Sequence, residues 1–224
     1  MLSDVGVTPA PVPQAVKMAD VAAKVGLVGL LVVVLVDPEL ANLKDKAAGA
    51  RAVAYPLLSF SVPALWYLFW RDRTPFPWVA DLLITFTCFT DILGNRMNLY
   101  DTIVWFDDWM HFMNVGLLGA AVVLLTLPRT APWWVVMERS VGFGALAAIL
   151  WELAEFFAFL QFSPERRNAY VDTLGDLGLG VLGAVLAAVA IHRAWAHGML
   201  RGTVPPVDSL AATRAHQERV DRSV

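Results

Sequence analysis

Asp108-x-x-His111, Glu152-x-x-Glu155 and Asp172-x-x-x-Asp176 each pair two ionisable side chains three or four residues apart. That spacing puts both members of a pair on one face of a helix. Carboxylates with one imidazole can hold Mg²⁺, Mn²⁺, Zn²⁺ or iron, and the same groups serve as general acids and bases. Each pair lies at the end of a long apolar run. An ionisable side chain inside a membrane costs roughly 3 kcal/mol or more, so by default it marks function.

Plainer roles compete for some of these residues. Asp107, Asp108 and Asp172 fall where a helix begins, and an acid there favours the helix dipole. Asp176 lies a turn further in and cannot act as a cap. Glu152 and Glu155 approach a helix C-terminus, where the dipole disfavours acids, so their plain role is a salt bridge to Arg96, Arg166 or Arg167. The two glutamates are therefore the strongest functional candidates.

The elements that must position these residues are membrane helices. The chain has 224 residues, is 58% hydrophobic and has a mean hydropathy of +0.58, above the roughly 45–50% apolar content of soluble domains. Apolar runs of about 18–20 residues recur along it. The net charge of −3 says nothing about a nucleic-acid partner, and no basic stripe is present that would serve one, so none is expected. The single Cys88 lies in an apolar run and reads as an inert core residue. Pro9, Pro11 and Pro13 come early and no small-residue cleavage site follows the first apolar run, so that run is expected to remain as a span rather than act as a signal peptide.

The expected fold is all-α, a polytopic bundle of about six transmembrane helices. Residues 1–14 form a disordered N-terminal segment, 15–200 the six-span domain and 201–224 a charged cytoplasmic tail. The spans are expected near 16–36, 52–70, 77–93, 107–127, 132–160 and 172–194, with an interfacial or re-entrant stretch over 97–106. Lys17 and Lys24 are expected to snorkel at the start of the first span, while Arg51 falls in the polar connection before the second. Gly175, Gly178, Gly180, Gly183 and Ala184 form a small-residue stripe suited to close helix packing. The bias of Lys and Arg places both termini in the cytoplasm, in a multi-pass membrane protein; the resemblance given below implies that the membrane is a bacterial plasma membrane.

Parity then brings the polar pairs together whichever way the chain is inserted. The ends of spans three and five and the starts of spans four and six share one side. They carry Asp91, Asn95 and Arg96; Glu152 and Glu155; Asp107, Asp108, His111 and Asn114; and Asp172 and Asp176. With a rise of 1.5 Å per residue, Glu155 and Glu152 lie roughly 7 Å and 12 Å below the end of span five. In the favoured orientation this is a polar pocket near the outer leaflet. So many carboxylates would repel one another unless offset by a divalent metal ion, by Arg96, Arg166 and Arg167, or by shared protons.

Three readings follow. In the first, an enzyme acts on a lipid-linked or cell-envelope substrate. Glu152, Glu155, His111, Asp172 and Asp176 do the chemistry, the same residues with Asp108 hold metal, and Asn95, Arg96, Arg166 and Arg167 bind substrate. In the second, the acids of an ion- or proton-coupled carrier bind the coupling cation. In the third, a non-catalytic assembly protein uses them in fixed salt bridges.

Asp108-Trp109-Met110-His111-Phe112, Trp151-Glu152-Leu153-Ala154-Glu155 and Asp172-Thr173-Leu174-Gly175-Asp176, followed by Gly183-Ala184, resemble the YjdF-like family of uncharacterised bacterial inner-membrane proteins. More distantly they resemble the VanZ-like family, whose pattern runs Asp-x-x-x-His-Phe, then Glu, then an Arg/Asp/Asn run before a glycine. The likeness spans about residues 91–184. The VanZ-like Asp-to-His spacing fits Asp107 better than Asp108, and Asp176 stands where that pattern has Asn. The resemblance implies a polytopic bacterial membrane protein, and the VanZ-like link to glycopeptide resistance implies action at the cell envelope.

Overall fold

The computed structural model describes residues 11–44, 46–158, 161 and 169–200. Helix α1, Gln14–Val36, starts behind Pro13 and ends where Pro38 forces Asp37 into extended backbone. The Asp37 carboxylate then accepts hydrogen bonds from the Glu39 and Leu40 amides at 3.0 and 3.1 Å, which closes the turn. Helices α2 (Ala48–Ser59) and α3 (Ser61–Leu65) continue into a π-helical turn, Trp66–Trp70. The path bends by 41° between Ser59 and Ser61. Pro63 has no amide hydrogen to offer the Ser59 carbonyl, which accounts for the break.

Helix α4, Trp78–Arg96, leads through the short α5, Leu99–Thr102, into α6, Phe106–Thr126. Helices α7 (Trp133–Ala158) and α8 (Ala169–Ala196) complete the order. The described residues contain no strand. The chain is an all-α polytopic membrane protein.

The six expected spans fall on α1, the α2–α3 pair, α4, α6, α7 and α8. Helices α1, α6, α7 and α8 are each long and apolar enough to cross a membrane, and the bent α2–α3 pair makes a fifth if it is one span. Helix α4 does not qualify, because Asp81, Thr85, Thr87, Asp91 and Asn95 dilute its 19 residues. All five of those side chains are buried. Packed among α1, α2 and α6, α4 turns its polar groups toward protein instead of lipid. Helix α7 shows the opposite pattern, with Leu146, Ile149, Leu150 and Leu153 exposed along it. An apolar surface of this kind suits hydrocarbon.

Small residues let α6, α7 and α8 approach closely. A methyl group on Gly183 would overlap the Phe112 carbonyl oxygen, and one on Gly116 would lie 3.0 Å from the Gly183 carbonyl oxygen. The Ser140 hydroxyl donates to the Ala184 carbonyl at 2.8 Å, tying α7 to α8. The expected glycine stripe is thus half in use: Gly180 and Gly183 face neighbours, while Gly175 and Gly178 face open space. Cys88 is free and buried, as expected.

A correction concerns Lys24. Its side chain does not snorkel to an interface; it folds inward between Asp20 and Asp81. An ammonium group deep in the bundle is held better by two buried carboxylates than by a stretched route to water. The expected N-terminal segment and C-terminal tail fall largely or wholly outside the described residues.

Candidate functional site

The loops and helix ends at one end of the bundle converge on Asp91. Its Oδ2 accepts from Arg51 Nε at 3.0 Å and from the Tyr55 hydroxyl at 2.6 Å, and its Oδ1 accepts from the Tyr100 hydroxyl at 2.7 Å. Arg51 also donates to the Lys46 carbonyl oxygen. Lys46 Nζ in turn reaches Asp101, at 2.6 and 2.7 Å from its two oxygens, and Asn42 Nδ2 bridges Asp101 and Asn98. These bonds form a closed ring joining the α1–α2 connection, α2, α4 and α5. Burial, and then the adjacent Asp91 carboxylate, hold the Tyr100 phenol well above its ordinary pKa, so it remains a donor. Asp101 is held below the usual carboxylate range, chiefly by its bond from Lys46.

Beside this ring, His111 lies among acids drawn from three helices. Its Nε2 is 3.6 Å from Asp107 Oδ1, one turn earlier on α6, and 3.9 Å from Asp176 Oδ2 on α8. Its Nδ1 is 3.5 Å from Glu152 Oε1 on α7. Glu152 Oε2 accepts from the Thr173 hydroxyl at 2.9 Å, which orients that carboxylate, whereas Oε1 is buried with no hydrogen-bond partner. Asn114 Oδ1, one turn past His111, is likewise buried without a partner. Glu155 Oε1 lies 3.9 Å from Arg51, the contact that joins the cluster to the ring.

Two sets of ligand atoms result, Asp107–His111–Asp176 and His111–Glu152–Glu155. Within each set the atoms lie no more than 4.8 Å apart. Donors about 2.1 Å from a common ion stand roughly 3.4 Å from one another in a tetrahedral site. The observed separations of 3.5–3.9 Å around His111 are long for hydrogen bonds and close to that spacing. The imidazole offers one nitrogen to each set.

A cavity of about 70 Å³ opens beside these groups, lined by Tyr55, Asp91, Tyr100, Asp107, His111 and Glu155 among others. It has room for an ion or a few water molecules. Trp151 walls it from the side, stacked on Tyr55 at 6.2 Å and lying under the Arg51 guanidinium at 5.8 Å.

The structure thus brings His111, Glu152, Glu155 and Asp176 together, as the paired spacings anticipate. Asp108 and Asp172 are exposed and outside both sets; the acid facing His111 from its own helix is Asp107. Asn95 is buried, with its amide donating to the Asp91 carbonyl of its own helix. Arg96 is exposed at the end of α4. Arg166 and Arg167 lie outside the described residues. The cation facing Glu155 is Arg51, which sequence reasoning placed in a connection because it began the helix four residues late. The interval Arg51-x-x-x-Tyr55 was the available signal, since it sets a guanidinium and a phenol on one helical face.

Residues 22–197 match the model of a family described as predicted membrane protein (DUF2238). The match is compatible with the YjdF-like resemblance and does not extend to the VanZ-like one. No curated protein and no solved structure matches the chain.

Proposed function

The chain belongs to this family of predicted membrane proteins, and for it we propose an intramembrane enzyme that binds a divalent metal ion and acts on a lipid-linked or cell-envelope substrate. The observation that carries the reading is the unpartnered, buried Glu152 Oε1 facing His111 between two overlapping ligand sets. A buried carboxylate oxygen without a partner is costly, and a bound cation would satisfy it. Asp107, His111 and Asp176 would hold the ion, with Glu152 and Glu155 completing the site; Asp108 and Asp172, at the exposed rim, would assist as loading ligands. The ion would polarise water or a substrate oxygen.

The remaining work falls to side chains. Thr173 holds Glu152 so that its unpartnered oxygen would face the ion. The His111 nitrogen not bound to the ion would hold a proton toward the acids of the other set. Arg96, Arg166 and Arg167 would receive an anionic headgroup; Asn95, buried and bonded within α4, is left out of that role. The protein would sit in a bacterial plasma membrane with both termini cytoplasmic and the site toward the outer leaflet. The VanZ-like resemblance supports an envelope substrate.

Metal content of the purified protein, beside a Glu152→Gln variant, tests the reading. A stoichiometric divalent ion in the parent, lost in a folded variant, is expected. No metal above background after loading with Mg²⁺, Mn²⁺, Zn²⁺ and Fe²⁺ would overturn it. A carrier reading would draw on other residues, the ionisable groups buried between α1 and α4.

A further inference from the structure

Lys24 Nζ lies 3.2 Å from Asp20 Oδ1 and 2.9 Å from Asp81 Oδ2, and it donates to the Thr85 hydroxyl. Asp20 is 1% exposed and Asp81 0%. Lys24 stands ten residues into the 23-residue α1, about 15 Å from its start, and so near the middle of a hydrocarbon core about 30 Å thick.

The surrounding elements add no compensating charge. From the α2–α3 junction come the Phe60 ring, 5.7 Å from Nζ, and the neighbouring buried hydroxyl of Ser59. The part of α6 beyond Asn114 has no ionisable side chain. Lys17, two turns earlier on α1, lies over the Trp78 ring at 5.7 Å instead.

One ammonium therefore faces two carboxylates, leaving one negative charge in excess in a low-dielectric interior, where an unbalanced ion is strongly disfavoured. A second observation points the same way. Neither Asp81 oxygen accepts a hydrogen bond: charge alone holds Oδ2 to Lys24, and Oδ1 is buried without a partner. A metal ion is a poor candidate for the missing charge, because Lys24 lies against both carboxylates. A proton needs no such space, and it would neutralise one of the two.

We propose that Asp20 and Asp81 share one exchangeable proton, so that Asp20, Lys24 and Asp81 form a proton-binding site in the middle of the membrane. Protonated, the set is neutral and α1 and α4 are clamped together through Lys24. Deprotonated, it carries one net negative charge and the clamp is strained. Such a site gives the protein a proton-linked transition, independent of whether the His111 cluster binds metal.

Infrared spectroscopy of the full chain in lipid nanodiscs tests this at neutral pH, through the carbonyl stretch of protonated carboxyls. Asp20→Asn and Asp81→Asn should each lose one protonated carboxyl relative to the parent, because the remaining acid then pairs with Lys24. Lys24→Met should gain one, since both acids would then be neutral. Equal intensity in the parent and both asparagine variants would overturn the proposal, because both carboxylates would then be ionised in the parent. A gain of two in Lys24→Met would overturn it on the same ground, and this variant decides the matter should the asparagine variants fail to fold.

Discussion

Asp91 and His111 line the same cavity, yet their surroundings differ in kind. Every oxygen of Asp91 is engaged, by Arg51, Tyr55 and Tyr100, at 2.6–3.0 Å. His111 has three acidic neighbours, none closer than 3.5 Å, and the glutamate oxygen facing it has no partner. The first arrangement is finished: adding anything would displace a bond already made. The second has open coordination. Burial and charge do not distinguish the two groups of acids; the completeness of their hydrogen bonding does.

The comparison breaks first at Asp91. Asp91→Ala leaves Arg51 a buried cation facing only Glu155 at 3.9 Å, and removing one partner of a buried pair costs about 3–5 kcal/mol. Thermal or denaturant unfolding in detergent should show that loss. Replacing both partners together, Arg51→Met with Asp91→Leu, should recover most of it, because no stranded charge remains.

The opposite sign is expected in the open cluster. Asp107→Asn removes one of several repelling acids. In chelator-treated protein it should raise stability on the order of 1 kcal/mol, with metal retention falling in the same variant. A loss as large as that of Asp91→Ala would mean that the His111 cluster is as fixed as the ring.

The smallest effect concerns the outer part of the ring, at Asp101. Its folded-state pKa is depressed by Lys46 and Asn42, so its contribution is present above the unfolded value, near 3.9. That contribution is lost as pH falls through the lower folded value. Because the side chain is 46% exposed, the loss should stay below about 1 kcal/mol. A pH titration of stability in the parent against Asp101→Asn, from pH 6 downward, should show the two curves converging only in the acid range.

Much of the site was legible in the chain itself. Pairs at helical spacing in apolar sequence identified His111, Glu152, Glu155 and Asp176, and parity placed them together without any coordinates. Spacing could not choose between Asp107 and Asp108, because intervals of three and four residues both lie on one face. The structure turns Asp107 inward. Arg51 and Lys24 were misplaced for a common reason: a lone cation near a helix start reads as interfacial until its buried partners, forty and fifty-seven residues away, are known. The same logic hid the character of α4, whose polar composition lowers its apparent fitness as a span while suiting a helix enclosed by protein.

The ring around Asp91 also has a mechanical consequence. It ties the α1–α2 connection, α2, α4 and α5 together along one rim, while glycine contacts draw α6, α7 and α8 close to one another. The cavity runs along the seam between them, with Tyr55, Asp91 and Tyr100 on one bank and Asp107, His111 and Glu155 on the other. Arg51 and Glu155, 3.9 Å apart, reach across that seam, and Gly94 of α4 packs against Phe106 of α6 beside it, so the chamber is held at a fixed width by contacts from both sides.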